Sequence, residues 1–491
     1  MSSIILAVVV LFPILAGILV PLLPFSKRNQ MLVYIETVVM INSLLVLYML
    51  MHQPAEELLL FRITKNISLG FKLDNLGSVF CGMLAVLWPL ATLYAFEYMK
   101  HESHEKIFFM FYTATYGVTL SIALSADIVT MYCFYEVLTL VTLPLVMHTL
   151  SREAILASRN YLYYSLGGAA FAFIGVVFIV VYGSTTAFTP GGVLDVAALG
   201  DRSGLMLLIF VLAFCGFSVK AAMFPFSFWL PQAGVAPTPV TALLHAVAVV
   251  KAGAFTLMRL TYYSFGADNI RGTYAQYIPM AMAIFTIVYG CSRALKETHI
   301  KRRLAWSTVS NLSYIIFGIT IMTPLGLEAA LSHMISHAAM KICAFFCAGA
   351  IITSANREYV HQLNGLGRKM PKVFGVLTVS GMALMGVPGL SGFIGKWRLV
   401  EAAVDSENTL AYVGIAALMV SALLTAIYML TMSIRAFFPG KDFDYSLVED
   451  AKDPGWMMIL PLVLFVIFMV YYGLHPQTLF GVFARVAAQL P

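Results

Sequence analysis

The sequence predicts an all-α protein that crosses a membrane many times. Of its 491 residues, 60% are hydrophobic and only 11% are charged, and the mean hydropathy is +0.87. A water-soluble domain cannot bury so much apolar surface. Apolar runs of about 20 residues, which is the length of an α-helix that crosses a hydrocarbon core, follow one another along the chain. Because these runs lack the polar alternation of barrel strands, we expect the spans to be helices.

Polar breaks divide the apolar runs into about fourteen predicted spans. The first run, MSSIILAVVVLFPILAGILV, has no basic n-region and no small-residue cleavage site, and it is too long for a signal-peptide core. We therefore interpret it as a permanent span. The predicted spans lie near 3–24, 30–51, 74–97, 107–125, 127–149, 160–183, 204–229, 238–262, 275–295, 303–322, 326–353, 372–403, 410–437 and 455–474. Between the second and third spans, residues 53–73 predict a short outer hairpin centred on Asn66 to Gly70.

Positive charge is concentrated in alternate loops. If the spans alternate in direction, one side of the membrane holds Lys27 and Arg28, Lys100 and Lys106, Arg152 and Arg159, Arg293 to Arg303, Arg357 to Lys372, and Arg435 to Lys452. The positive-inside rule makes that side cytoplasmic and places both termini on the other face, so we expect a multi-pass protein of the cell's inner (cytoplasmic) membrane. The same bias explains the net charge of +6 without a nucleic-acid partner.

Motifs for cofactors or nucleotides are absent from the sequence. Six cysteines lie inside apolar runs without the Cys-x-x-Cys spacing of zinc or iron–sulfur ligands: Cys81, Cys133, Cys215, Cys291, Cys343 and Cys347. The chain also lacks a P-loop and a dinucleotide fingerprint. We therefore expect no cofactor, no metal and no catalytic or redox centre in this chain, and any energy that it uses must come from elsewhere.

Ionisable side chains inside predicted spans are the strongest functional signal. A charge at bilayer depth costs at least roughly 2.5–3.5 kcal/mol on insertion scales, and something must offset that cost. Five such residues stand in separate predicted spans: Glu136, Lys220, Lys251, Lys341 and Lys396. Each alone could be a structural ion pair or a helix-end anchor. One acid with four lysines in different helices favours a functional role.

The eleventh predicted span carries a polar stripe. His333, His337 and Lys341 are spaced i, i+4, i+8, so they share one helix face over about 12 Å. Imidazoles titrate near neutral pH and burial disfavours the ammonium form of lysine, so the stripe could pass protons stepwise. Zinc binding by the two histidines is the less favoured alternative, because no carboxylate or thiolate completes the ligand set. His245 is either a further relay member or a core histidine.

Helix breakers stand next to two of the lysines. Pro225 and Pro231 follow Lys220, and Pro388 precedes Lys396. Because proline removes a backbone donor and clashes with the preceding turn, both helices should be interrupted inside the bilayer. Interrupted spans five helices apart are typical of an inverted-repeat transporter, although two unrelated kinks would give the same pattern.

A long sequence resembles a known family. The run VKAAMFPFSFWLPQAGVAPTPVTALLHAVAVVKAGAFTLMRL (219–260) is similar to the signature of the antiporter-like family. That family comprises the large membrane subunits of respiratory complex I, the A and D subunits of Mrp sodium/proton antiporters, and the membrane subunits of energy-converting hydrogenases. FYEVLTLVTLPL, ISHAAMKICAFF and GVPGLSGFIGKWRLV support the resemblance, which extends from about residue 75 to 435.

The resemblance implies fourteen helices with two inverted five-helix repeats and discontinuous seventh and twelfth helices. It divides the chain into an N-terminal three-helix segment with the outer hairpin (1–106), a first repeat (107–262), a second repeat (275–437) and a C-terminal loop with the last helix (438–491). The chain stops soon after the fourteenth span, so it most resembles the Mrp D type or a hydrogenase counterpart.

By motif, the resemblance assigns a proton relay to Glu136 and Lys220 as a pair, Lys251, His337 and Lys341 as the central relay, and Lys396 as the terminal site. The stripe adds His333 to this relay by its spacing. Lysine at position 396 departs from the middle antiporter-like subunit of complex I, which carries glutamate there. Separation of Glu136 from Lys220 would push a proton toward Lys251 and then along the relay.

The predicted function is therefore proton translocation within a multisubunit membrane complex, either a cation/proton antiporter or a redox-driven pump. The expected partners are other integral membrane subunits, with redox subunits in the second case, and Na⁺ is a candidate coupling ion beside protons. Three alternatives stay open: a bicarbonate-uptake complex, a scaffold without its own ion path, and a carrier of an organic solute.

Overall fold

The protein is a bundle of membrane-length helices, as the apolar runs predict. This computed structural model describes residues 3–64 and 67–490. Within those ranges twelve helices are long and apolar enough to cross a membrane, and two shorter apolar helices bring the number to fourteen. The all-helical polytopic fold is thus confirmed.

The N-terminal part contains three helices and a hairpin: α1 (Ile4–Leu19), α2 (Arg28–His52), β1 (Leu58–Arg62), β2 (Ser68–Phe71) and α3 (Asn75–Tyr98). The two strands pair antiparallel, which confirms the hairpin. Its predicted centre is wrong, because Ser68 and Gly70 belong to β2 and the chain turns before them. The Gly70 amide donates to the Thr130 hydroxyl at 3.1 Å, which fixes this segment as a strand against the bundle. Asn66 lies outside the described residues.

The first group of helices covers residues 105–265. It consists of α4 (Glu105–Leu124), α5 (Ile128–Val146), α6 (Arg152–Tyr182), the short α7 (Val196–Leu199), α8 (Ser203–Ser218), α9 (Trp229–Gln232), α10 (Thr238–Ala242) and α11 (Val249–Met258). Side-chain caps fix several helix starts, since Asp127 accepts the amides of α5 and Ser151 accepts that of Ala154 in α6.

The predicted interruption beside Lys220 is present, but it begins before this residue, so Lys220 itself lies in it. Only one of the two prolines lies in the interruption. Helix α8 ends at Ser218, and Pro225 lies in the irregular segment that follows. The assignment of Pro231 as a helix break is wrong. It stands in the first turn of α9, where a missing backbone N–H costs no helical hydrogen bond.

The eighth span is wound less regularly than the sequence predicts. Two π-helical turns, Leu243–Val247 and Arg259–Phe265, flank α11, whereas the apolar run predicted one continuous α-helix. His245 lies in the first of them. Such π-bulges are rare and occur frequently at functional sites.

The second group covers residues 274–437 and follows the short α12 (Ala267–Ile270). It consists of α13 (Tyr274–Lys296), α14 (Ile300–Ile321), α15 (Pro324–Ala355), the short α16 (Leu366–Lys369), α17 (Pro371–Met385), α18 (Ser391–Asp405) and α19 (Thr409–Phe437). The predicted interruption before Lys396 separates α17 from α18. Pro388 lies in it, between Gly386 and Gly389, which both adopt the positive φ that glycine tolerates.

Two helices follow the second group, α20 (Trp456–Leu474) and α21 (Gln477–Ala487). The sequence predicted the first of them. Helix α21 is an addition, and with 11 residues it is too short to appear as a membrane-length apolar run.

The most buried helices form the middle of the bundle. The apolar windows of the eighth span and of α14 are completely buried, and that of α15 is 89% buried. A helix that is covered by other helices on all sides need not present an apolar face to lipid, so it can carry polar side chains. The central lysines and histidines stand on these helices.

Candidate functional site

The centre of the site is a contact between two helices. Lys251 on α11 and His337 on α15 place Nζ and Nδ1 2.5 Å apart, and both side chains are fully buried. An amine and an imidazole at this distance share one proton, because each can act as donor or acceptor in its neutral form. The sequence predicted both residues but not that they meet.

The histidines of the stripe lie on one face, as their spacing predicts. The rings of His333 and His337 are 6.0 Å apart and nearly parallel. Helix α18 approaches this face closely, since a Cβ on Gly395 would lie 2.8 Å from both Cα and Nδ1 of His333. The stripe therefore reaches the helix that carries Lys396.

The amine of Lys341 points away from the two histidines of the stripe. Its Nζ donates to the Leu304 carbonyl on α14 at 3.1 Å, so it points toward a third helix. The His245 ring lies 4.8 Å from that of Phe345, and it is close enough to Lys341 for electrostatic interaction. We call the predicted relay residues the row: Glu136, Lys220, Lys251, His333, His337, Lys341 and Lys396. His245 lies beside the row, although no direct hydrogen bond joins it to a lysine among the described residues.

At one end of the site, Lys220 pairs with Glu136. Its Nζ is 3.6 Å from Glu136 Oε1, donates to the Tyr135 carbonyl, and lies 3.3 Å from the centroid of the Tyr135 ring. The pair is uneven, because the lysine side chain is 1% exposed and the carboxylate side chain 23%. The carboxylate therefore lies nearer the surface of the chain than the amine does.

The break in the seventh span brings Lys220 next to α11. A Cβ on Gly253 would lie 3.1 Å from Lys220 Cβ and still closer to the Lys220 backbone. Only glycine allows the two backbones to approach this closely. Since Gly253 is two residues from Lys251, the close approach brings the segments that carry the two lysines into contact.

At the other end, Lys396 binds the interruption of its own span. Its Nζ donates to the carbonyls of Leu384 and Met385 at 2.8 and 3.0 Å. These carbonyls belong to the last turn of α17, where the negative end of the helix dipole favours a cation. No carboxylate within the described ranges lies within ion-pair distance of this amine.

Three features of the site are missed by the sequence analysis. Tyr314 places its ring 5.0 Å from that of His333 and 5.3 Å from Lys396 Nζ. Lys301, which the sequence assigns to a basic loop, is buried and donates to the Ala236 carbonyl at 2.7 Å. Arg259 is buried and forms an ion pair with Asp74. Of these residues only Arg259 could have been found from the sequence, because it is a charged residue in the same predicted span as Lys251, eight positions later.

The chain matches the model of a protein family over the region that holds these residues. The match covers residues 125–435 and its description is "NADH:quinone oxidoreductase/Mrp antiporter, TM". The chain belongs to this family. The family is the one that the motifs around Lys220, Lys341 and Lys396 resemble.

Similar proteins come from both branches of the NADH:quinone oxidoreductase/Mrp antiporter family. NAD(P)H-quinone oxidoreductase chain 4-3 of Nostoc sp. is 26% identical over 448 residues, with 88% of this chain and 78% of that one covered. The A/B subunit of a probable K⁺/H⁺ antiporter from Rhizobium meliloti is 28% identical and covers 98% of this chain with 48% of its own length. The N subunit of the NADH-quinone oxidoreductase of Desulforudis audaxviator is 28% identical, with 82% of each chain covered.

Two solved structures share the fold. A chain of the archaeal membrane-bound sulfane sulfur reductase superposes with a TM-score of 0.85 and 21% identity over 99% of this chain and 98% of that one. A chain of the Mrp complex from Dietzia sp. gives a TM-score of 0.84 at 21% identity, over 100% and 98%. The chain is thus an antiporter-like membrane subunit of the kind found in complex I-type and Mrp-type assemblies.

Proposed function

We propose that this chain translocates protons as one subunit of a multisubunit membrane complex. The observation that carries the proposal is the buried contact of Lys251 with His337, at 2.5 Å in the middle of the bundle. A structural role would favour partners of opposite charge, whereas these two groups both become cations when protonated. If both bases were protonated, their two positive charges would repel each other strongly in the low-dielectric interior. A proton that arrives at one base therefore drives the proton of the other away.

The row begins at the pair of Lys220 and Glu136. While the carboxylate is close, it stabilises the ammonium of Lys220. If the 3.6 Å separation increases, the lysine loses its counter-charge and releases a proton toward Lys251, whose helix contacts the segment that carries Lys220. A change of one pKa unit corresponds to about 1.4 kcal/mol, so a small movement of a buried pair suffices.

The proton then passes from His337 to Lys341 or along the stripe to His333, and Lys396 exchanges it with one side of the membrane. Hard cations such as Na⁺ require oxygen ligands, and the row contains the single carboxylate of Glu136. This favours protons as the ion that moves along the row and leaves Na⁺ or K⁺ to partner subunits or to the Glu136 region.

Membrane partners follow from the relatives, which are subunits of multisubunit complexes by name. Redox subunits are expected if the complex resembles the oxidoreductases. Smaller hydrophobic subunits without redox centres are expected if it resembles the antiporters. The basic loops favour the cell's inner membrane, with both termini on the non-cytoplasmic side.

Lys251→Met in the native complex tests the proposal. Proton movement is followed by acridine orange fluorescence in everted vesicles, after NaCl, KCl or NADH is added in separate experiments. We expect loss of proton movement at normal assembly of the complex. A Lys251→Met complex that moves protons at the wild-type rate would instead support a scaffold. Arg302→Met, which removes an exposed charge outside the row, is the control and should have no effect.

A further inference from the structure

A buried cluster of hydroxyl and thiol groups lies in the second group beside the row of lysines. Its seven side chains come from α13, α14 and α19, and each is at most 1% exposed: Cys291, Ser307, Ser310, Tyr314, Ser421, Thr425 and Tyr428. We call it the hydroxyl cluster. Each member can donate one hydrogen bond and accept another.

One half of the hydroxyl cluster starts near the amino-terminal end of α14. The Ser307 hydroxyl is 2.6 Å from the Tyr428 hydroxyl, which is 3.1 Å from that of Thr425. The Thr425 hydroxyl is 3.7 Å from the Cys291 sulfur, within the range of a hydrogen bond to sulfur. The connection from Ser307 to Cys291 therefore contains no apolar gap.

The other half leads from the thiol to Tyr314. The Cys291 sulfur is 2.8 Å from the Ser421 hydroxyl, and Tyr314 donates to the same hydroxyl at 2.7 Å. Ser310 joins both, at 3.0 Å from Cys291 and 3.1 Å from Ser421. The seven side chains thus form one connected hydrogen-bond network.

Each end of the network lies next to a lysine of the row. At one end, the Leu304 carbonyl accepts from Lys341 Nζ at 3.1 Å and from Thr308, the neighbour of Ser307, at 3.0 Å. At the other end, the Tyr314 ring lies 5.3 Å from Lys396 Nζ.

The imidazole stripe offers no comparable continuity between these lysines. Neither nitrogen of His333 has a hydrogen-bond partner among the described residues, and its ring is 6.0 Å from that of His337. A proton that uses the stripe must cross two unbonded gaps. Within the hydroxyl cluster every consecutive pair of groups is within hydrogen-bond distance, and gaps remain only at its two ends.

We propose that the hydroxyl cluster is the proton connection between Lys341 and Lys396. The inference rests on the proposed proton translocation and adds its route within the second group. An excess proton leaves the Lys341 ammonium through one water molecule and binds the first hydroxyl, which passes its own proton to the next group. At the other end a proton leaves through a second water molecule and binds the neutral amine of Lys396. Before a transfer the Tyr314 hydroxyl turns away from the Ser421 hydroxyl, and the Thr425 hydroxyl turns away from the Ser421 carbonyl, so that both donate toward Lys396. After the transfer each hydroxyl and the thiol are neutral again, with the hydrogen bonds along the cluster reversed.

The competing explanation is that the cluster only holds α13, α14 and α19 together, as hydroxyl groups do between membrane helices. Three variants separate the two explanations. Tyr314→Phe removes one hydroxyl and keeps the ring, Cys291→Val replaces the thiol with an apolar group of similar size, and Cys291→Ser restores an exchangeable proton at the same place.

The experiment measures the initial rate of proton movement in everted vesicles that carry the native complex, at pH values from 6 to 9, normalised to the amount of assembled complex. We expect Tyr314→Phe and Cys291→Val each to lower the rate at least roughly tenfold at every pH. Cys291→Ser should stay within about twofold of the wild type. Ser380→Ala, which removes a buried hydroxyl that bonds the Met340 carbonyl outside the cluster, is the matched control and should also stay near the wild type.

Wild-type rates in Tyr314→Phe and Cys291→Val would overturn the inference, provided that Lys341→Met and Lys396→Met abolish transport. An equal loss in Cys291→Ser and Cys291→Val would overturn it too, because packing would then explain both. If Lys341→Met and Lys396→Met themselves move protons normally, the proposed function fails and the inference fails with it. A variant that does not assemble is replaced by Ser421→Ala, for which the same tenfold loss is expected.

Discussion

The first and second groups both contain a span that is interrupted next to a buried lysine, but they treat the lysine differently. In the first group the Val219 carbonyl that follows α8 accepts from the Trp229 indole at 2.8 Å, and Lys220 pairs with Glu136. In the second group Lys396 itself caps the broken helix, and its neighbour on α14 is Tyr314 instead of an acid.

This difference separates two ways of controlling a buried amine. In the proposed mechanism the charge of Lys220 depends on its distance from one carboxylate, so a change in that distance would switch it. The charge of Lys396 depends on backbone carbonyls that remain at the end of α17. The first lysine is therefore suited to start a proton transfer, and the second to receive one and return it to solvent.

The largest effect is expected when the carboxylate of Glu136, the partner of Lys220, is removed. Glu136→Gln leaves the Lys220 ammonium buried without its counter-charge, and loss of one partner of a buried pair costs about 3–5 kcal/mol. We expect proton movement to be lost and the melting temperature of the complex to fall. Glu136→Gln combined with Lys220→Met should regain the stability but not the transport. A double variant as unstable as the single one would contradict the pairing.

A second prediction concerns Lys396. Lys396→Arg can keep donors near the carbonyls of Leu384 and Met385, but a guanidinium does not release its proton at physiological pH. We expect normal assembly and at least a roughly hundredfold loss of proton movement in everted vesicles. Lys301→Arg, at a buried lysine that donates to a carbonyl outside the row, should lose much less. Equal transport in both variants would show that Lys396 only holds the end of α17 and does not carry protons.

A third prediction tests the close approaches that hold the two lysine segments against the central helices. Gly253→Ala would push against the Lys220 backbone, and Gly395→Ala against His333 at 2.8 Å. Overpacking of this kind costs typically about 1–3 kcal/mol, so we expect transport to fall several-fold in each variant. Gly375→Ala is the control, because a Cβ there meets nothing within 4 Å. If all three variants behave alike, the approaches do not matter for transport.

The smallest effect is expected at Pro231. Because it stands in the first turn of α9, Pro231→Ala removes no constraint that the interrupted span needs, and the free energy of unfolding should change by less than about 1 kcal/mol. Transport in vesicles should match the wild type. A large loss of transport would show that this proline, and not the segment before it, sets the interruption.

Much of the fold could be predicted because a membrane-spanning helix must have a definite length and an apolar composition, and both are visible in the sequence. Each predicted span corresponds to an apolar helix, within several residues at most ends, since a helix in lipid must be apolar over a fixed length. The failures occurred where that rule is weak. Helix α21 is too short to be an apolar run, and the π-helical turns around α11 leave no compositional trace.

For the candidate site, the sequence supplied the ionisable residues but not their contacts. The buried charges and the stripe on α15 were expected, because charges at bilayer depth and the helical period are both visible in one dimension. The pairing of Glu136 with Lys220 was implied only by the resemblance to the family. Tyr314 and the hydroxyl cluster were not expected. Serine, threonine and tyrosine are ordinary in apolar helices, so nothing marks the few that face one another.

The sequence by itself therefore determined that this chain is a multi-pass membrane protein with an unusual set of basic residues inside its spans, because length and charge in lipid obey strict energetic limits. Only the tertiary structure decided which bases meet. The pairing of Lys251 with His337, the capping of α17 by Lys396 and the connected hydroxyl cluster all depend on how separate helices pack, and their distances are set by side chains far apart in the chain.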